Sequence, residues 1–164
     1  MIRKIYLDMD GVLTDFYGRY KEKFAIAPSE AFRNKKDKDD NWRLFVEHKE
    51  FETLPWHKDG KELLEFVRNT KIPLSILSSS GGRDTHEEVT RQKNVWLDRN
   101  GIDFDRIIVP GRKHKKEFAR SDTLLIDDTI DVVDDFAING GFSILHNNIL
   151  QTKNLIDIYT RVIY

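Results

Sequence analysis

A short apolar run, Lys4-Ile5-Tyr6-Leu7, gives way to Asp8-Met9-Asp10 and then to Gly11-Val12-Leu13-Thr14-Asp15. Two carboxylates one residue apart repel each other unless a cation or a shared proton lies between them. Side chains alternate along a strand, so Asp8 and Asp10 share a side only while the chain stays extended. Gly11 lets the backbone turn sharply just after them. An apolar strand that stops at such a pair builds a site for a hard cation such as Mg2+ at its exit, and that points to phosphate chemistry.

The rest of the chain repeats the strand theme with helices between. Apolar runs at Ile5–Met9, Ile72–Leu77, Arg106–Val109, Thr123–Ile126 and Phe142–Leu145 read as strands. Phe16, Tyr20 and Phe24 recur at helical spacing up to Pro28, and Trp42, Phe45, Val46 and Lys49 fit a second helix. The charge run Asn34–Asp40 between them reads as a solvated loop tip. Amphipathic helices are expected over Lys61–Asn69 and over Asp84–Asn100, the latter stopped by Gly101. A short helix over Lys113–Ala119, one over Ile130–Ile138 and a helical tail from Leu150 complete the pattern. Strands alternating with helices imply an α/β, Rossmann-like parallel sheet of about five strands with helices on both faces. One domain over residues 1–164 accommodates this, with a small helical cap inserted after the first strand at about 17–55.

Composition narrows the function classes. Lys and Arg total 27 against 28 Asp and Glu, so no global basic field draws the chain to nucleic acid or membrane. The absence of cysteine excludes disulfides, thiolate metal sites and cysteine nucleophiles. The apolar stretch after Arg3-Lys4 is too short for a secretory signal, and no segment has the roughly 20 apolar residues of a membrane helix. A cytoplasmic protein without membrane attachment is the expectation.

Ligands of open parallel sheets bind beyond the carboxyl ends of the strands. Asp8 and Asp10 follow the first strand, Ser78 and Ser79 the second, and Asp127 and Asp128 the fourth. The run Ser78-Ser79-Ser80-Gly81-Gly82 ahead of a helix suits an anion nest. Carboxylates and hydroxyls from three separate segments thus converge on one rim.

These residues, in this order, resemble the haloacid dehalogenase superfamily of phosphotransferases over nearly the whole chain. Within it, Asp8-Met9-Asp10-Gly11-Val12-Leu13-x-Asp15-Phe16 resembles the 5′(3′)-deoxyribonucleotidase-like members. Trp42 with Phe51 and Leu54-Pro55, Lys93 with Trp96-Leu97, Arg106-Ile107-Ile108, and Leu124-Leu125-Ile126-Asp127-Asp128 agree with that subtype. The chain is short for such a nucleotidase, and its cap is small.

The resemblance implies Asp8 as a nucleophile that forms an aspartyl-phosphate. It implies Asp10 as the acid and base, with its backbone carbonyl on Mg2+, and Asp127 and Asp128 as the rest of the metal shell. Members that dehalogenate lack the second acid, so Asp10 argues against carbon–halogen chemistry. Asp8's charge favours a protonated Asp10 at rest. A lysine must balance the crowded carboxylates. Lys115 shares the side of Phe118 and Ala119 and is favoured over Lys113 and Lys116. Phe16, Trp42 and Phe51 are candidates for a base-stacking wall, with core packing of a small cap as the equal alternative. Lys93, on the apolar face of Val89, Trp96 and Leu97, is expected to snorkel. The expected activity is Mg2+-dependent hydrolysis of a phosphate monoester, with a nucleoside monophosphate as substrate. The alternatives are a 3′-phosphate at a nucleic-acid end, a sugar phosphate, or a phospho-acceptor or binding-only module that does not turn over.

Overall fold

The computed structural model describes residues 1–161. Its centre is a sheet of β1 (Lys4–Leu7), β2 (Leu74–Ser79), β3 (Asp105–Val109), β4 (Thr123–Asp127) and β5 (Phe142–Leu145) in the order β3-β2-β1-β4-β5. Every pairing is parallel. Among the described residues seven α-helices join or follow them: α1 (Phe16–Phe24), α2 (Pro28–Ala31), α3 (Lys35–Glu47), α4 (Gly60–Asn69), α5 (His86–Arg99), α6 (Ile130–Ile138) and α7 (Ile149–Thr160). Short 3₁₀ turns span Glu50–Glu52 and Arg112–Phe118. No helix among the described residues is long and apolar enough to cross a membrane.

Both sheet faces are buried, and the twofold alternation of strand side chains decides which residue faces which layer. Ile5, Leu7, Ile76, Leu124 and Ile126 enter the larger core with Leu63 and Val67 of α4, Val89 and Trp96 of α5, and Ile156 of α7. Their neighbours Tyr6, Leu77 and Leu125 enter the opposite core with Val132 and Phe136 of α6 and Ala119. Strand order reverses on either side of β1, so the crevice between β1 and β4 is the topological switch point where such sheets take ligands.

Two local expectations are corrected. Residues 34–40 are not a loop tip: Lys35 opens α3, and the Asn34 side chain caps it by accepting from the Lys36 and Asp37 amides at 3.0 and 3.4 Å. A good cap outweighs a charge run when the helix beyond it anchors Phe45 and Val46 in the core. Pro28 does not end the first helix but starts α2, where its missing N–H costs nothing. α1 stops earlier, with Ala25 in the left-handed conformation at φ 55°.

Helices α1 to α3 and the turn at Glu50–Glu52 form a helical insert between β1 and α4 around one aromatic cluster. Phe16 stacks parallel on Phe51 at 5.8 Å and meets Phe45 edge-on at 5.2 Å. The insert is tied to the sheet through Trp96 of α5, whose indole N–H donates to the Leu54 carbonyl at 2.8 Å. On the far side of the sheet Phe136 is fully buried and packs edge-on against Tyr6. Phe136→Ala is therefore expected to cost about 3–5 kcal/mol of unfolding free energy, read as a lower urea midpoint with an unchanged m-value.

Candidate active site

β1 stops because Gly11, at φ 80°, turns the chain, and the Gly11 amide closes the loop on the Thr14 carbonyl at 2.9 Å. Asp8 stays in register with the sheet, its amide donating to the Ile126 carbonyl at 3.0 Å. That bond sets Asp8 beside Asp127 and Asp128 at the end of β4. One carboxylate oxygen from each of Asp8, Asp127 and Asp128 lies within 4.8 Å of the other two. Three acids at that spacing form an oxygen-only donor set of the kind Mg2+ prefers.

A cation is already built in. Lys115, only 2% exposed, places Nζ 2.8 Å from Asp8 Oδ1 and 2.6 Å from Asp127 Oδ2. Burial alone would lower its pKa, but the two carboxylates overcome that and hold the ammonium above the ordinary lysine range. The 3₁₀ turn brings Lys115 inward, whereas Lys113 is exposed and Lys116 Nζ lies 3.7 Å from Asp135 on the outside of α6.

One lysine does not balance three acids. Burial and the charge of Asp8 push Asp127 up to about 6, against the pull of Lys115 and of the Thr129 amide at 3.0 Å. Burial, then Asp8 and Asp127, push Asp128 up to about 7, eased by the Tyr17 hydroxyl. Tyr17 in turn is raised by burial and by Asp128. This residual repulsion is what a divalent ion would relieve, so the residues present fit Mg2+, held by Asp8, Asp127 and Asp128.

Asp10 points elsewhere. Its Oδ1 accepts from the Thr14 hydroxyl at 3.0 Å and its Oδ2 from Lys93 Nζ at 2.7 Å. Lys93 is 1% exposed and also donates to Ser78 Oγ and to the Ser79 carbonyl, each at 2.8 Å. The snorkelling expected for Lys93 is thus corrected. At mid-helix its stem has no route to solvent, and the ammonium is satisfied inside by Asp10.

Ser78 is corrected as well. β2 runs on through Ser79, so Ser78 alternates inward, fully buried on Lys93, and Ser79 is the hydroxyl residue at the cleft. The cleft, about 830 Å³, is walled by Asp8, Asp10, Ser79, Lys115 and Asp128 on the sheet side. Phe16 reaches it only at an edge: it is 6% exposed, with its faces on Phe51 and Phe45. Trp42 is partly exposed. It rests on Gly81, where a Cβ would come within 2.4 Å of the indole, and its N–H donates to Thr85 Oγ1 at 2.9 Å. The aromatic rings that face the cleft openly are Tyr17, 45% exposed, and Phe32, 43% exposed, neither singled out by the sequence.

The architecture is shared with a hydrolase from Streptococcus pneumoniae TIGR4 at a TM-score of 0.55, 15% identical over 95% of this chain and 98% of that one. It is shared equally with a HAD-superfamily hydrolase from Ehrlichia chaffeensis, TM-score 0.55 and 13% identical over 98% and 100% of the two chains. The chain has the same fold as these two hydrolases. A dehalogenase solved with an intermediate complex shares the architecture at a TM-score of 0.59, 11% identical over 87% of this chain and 83% of that one. No protein-family model matches the chain, and no curated protein matches it in sequence.

Two outcomes follow. In Gly11→Ala the new Cβ would sit 2.1 Å from Asp128 Oδ2 in a backbone region hostile to L side chains. Mg2+ affinity measured by calorimetry should fall at least about tenfold, with the far-UV spectrum unchanged. Carboxyls that hold protons more tightly folded than unfolded stabilise the fold below about pH 4 and lose that contribution as pH rises through about 6 and 7. Metal-free protein in EDTA should therefore be less stable at about pH 8 than at about pH 5, by on the order of 4 kcal/mol from this pair. Millimolar Mg2+ should remove that difference in urea titrations.

Proposed function

We propose that the protein is a Mg2+-dependent phosphomonoester hydrolase of the HAD superfamily, acting on a nucleoside monophosphate. The observation that carries it is the pairing of one carboxylate beside the cation site, Asp8, with a second two residues on, Asp10, which is held apart from that site by Thr14 and Lys93. Mg2+ held by Asp8, Asp127 and Asp128 would supply charge neutralisation for the phosphoryl oxygens.

Asp8 carries the nucleophilic oxygen. Lys115 fixes its other oxygen, Oδ1, so the attacking atom has one preferred direction into the cleft. Attack on phosphorus breaks the ester P–O bond and leaves a phosphoryl group on Asp8. The departing alkoxide takes a proton from Asp10, which recovers one from the water that then hydrolyses the aspartyl-phosphate. A halide leaves without a proton, whereas an alkoxide does not, so this placement of Asp10 favours phosphate ester over carbon–halogen cleavage. Lys93 offsets the charge that returns to Asp10 in each half-reaction. The helical insert serves as a lid that limits the intermediate to water reached by Asp10. Tyr17, Phe32 and the edge of Trp42 suit a nucleobase beyond the phosphate site.

A second reading has its own support. Lys38, Arg43, Arg83 and Arg112 also line the cleft, with Asp39 and Asp84 partly offsetting them, a net-positive mouth suited to further phosphates of a nucleic-acid strand. Turnover of p-nitrophenyl phosphate with Mg2+ should be lost with EDTA and fall roughly 10⁴-fold or more in Asp8→Asn. Activity that survives in Asp8→Asn defeats the proposed nucleophile. Deoxyribonucleoside 5′- and 3′-monophosphates compared with 3′-phosphorylated oligonucleotides, by kcat/KM, then decide between the two substrates.

A further inference from the structure

Outside the catalytic cleft a second cluster has ligand character. His146 directly follows β5, and His57 and Asp59 lie in the loop ahead of α4. One ligand atom from each of these three lies within 4.8 Å of the other two. The His146 side chain is 1% exposed, and its Nε2 has no hydrogen-bond partner among the described residues. That atom faces Asp59 Oδ2 at 4.0 Å, too far for a hydrogen bond. A buried polar nitrogen left in this way costs about 1–3 kcal/mol. The other ring nitrogen, Nδ1, is paired at 2.9 Å with the buried Thr152 hydroxyl of α7. When Nδ1–H donates to that oxygen, Nε2 presents a lone pair to Asp59 and His57.

This is the arrangement of a metal-binding imidazole: one nitrogen held by an outer partner, the other aimed at a carboxylate and a second imidazole. Burial, then the nearby His57, lower the pKa of His146, against the pull of Asp59. Two imidazoles and one carboxylate suit a borderline cation rather than Mg2+, which prefers oxygen alone. Tetrahedral Zn2+ has bonds of about 2.0–2.2 Å to such atoms, so the His146–Asp59 pair would close by well under 1 Å.

We propose that His57, Asp59 and His146 form a Zn2+ site, separate from the Mg2+ site, that fastens the two catalytic loops to each other. The backbone makes the connection. The His57 amide donates to the Leu13 carbonyl at 2.8 Å in the loop that carries Asp8 and Asp10. The His146 amide donates to the Asp127 carbonyl at 2.8 Å. Packing behind the first contact is close: a Cβ on Gly60 would meet the Leu13 carbonyl oxygen at 2.7 Å. An ion bridging His57 and His146 would thus hold the ends of β1 and β4 at a fixed spacing, with a fourth position left for water.

The test is calorimetric titration of Zn2+ into the whole protein under a large excess of Mg2+, together with thermal unfolding. Wild type should bind one Zn2+ and unfold at higher temperature with it. His57→Ala and Asp59→Asn, both at partly exposed positions, should each weaken Zn2+ binding at least about 100-fold and lose the thermal shift. Thr152→Val, which removes the outer partner, should weaken it about 10- to 100-fold. Asp128→Asn, in the catalytic acid cluster, should leave it unchanged. The proposal is overturned if wild type binds no Zn2+, if His57→Ala and Asp59→Asn bind as wild type does, or if Asp128→Asn is the variant that loses the ion.

Discussion

The contact on which the site depends is Lys115 Nζ between Asp8 and Asp127. Acids from the ends of two adjacent parallel strands are forced together by the sheet itself, since Leu7 pairs with Ile126 one residue before each. Buried carboxylates at that separation would push the strand ends apart or take up protons. A buried ammonium offsets one charge, and the excess that remains is what a divalent cation would relieve. The same arithmetic of charge explains why Asp127 and Asp128 are driven upward while their neighbours Thr129 and Tyr17 pull the other way.

A second buried lysine does different work. Lys93 binds Asp10, Ser78 and the Ser79 carbonyl at once, so one ammonium joins α5, the end of β2 and the loop after β1. It divides the acids into two populations, with Asp8, Asp127 and Asp128 around one point and Asp10 drawn aside. That division leaves two carboxylates separated by a single residue in unlike surroundings. The helical insert closes over this arrangement through Trp42 on Gly81 and Trp96 on Leu54, both contacts between an indole and backbone.

Legibility in the sequence followed the physics of each residue. Strand ends, the alternating architecture and the acid positions were readable because apolar runs stop abruptly at charged residues. Ser78 was misplaced because β2 continues through two serines, and a polar residue within a strand leaves no mark in an apolar pattern. Lys93 offered a usable signal: a lysine at mid-helix among Val89, Trp96 and Leu97 is too far from a helix end to reach water. Tyr17 and Phe32 offered none, since their exposure comes from how α1 and α2 pack against α3.

The amino-acid sequence by itself determined the α/β order and the strands that carry Asp8 and Asp127, because hydrophobic periodicity and turn residues act over a few neighbours. Only the tertiary structure decided that Lys115 rather than Lys113 or Lys116 enters the site. It alone joined Lys93 to Asp10 across 83 positions of chain, and it alone brought His146 to His57 and Asp59. Such pairings are set by sheet order and helix docking, which depend on the whole core closing at once, and no local window of residues encodes the distance between two strand ends.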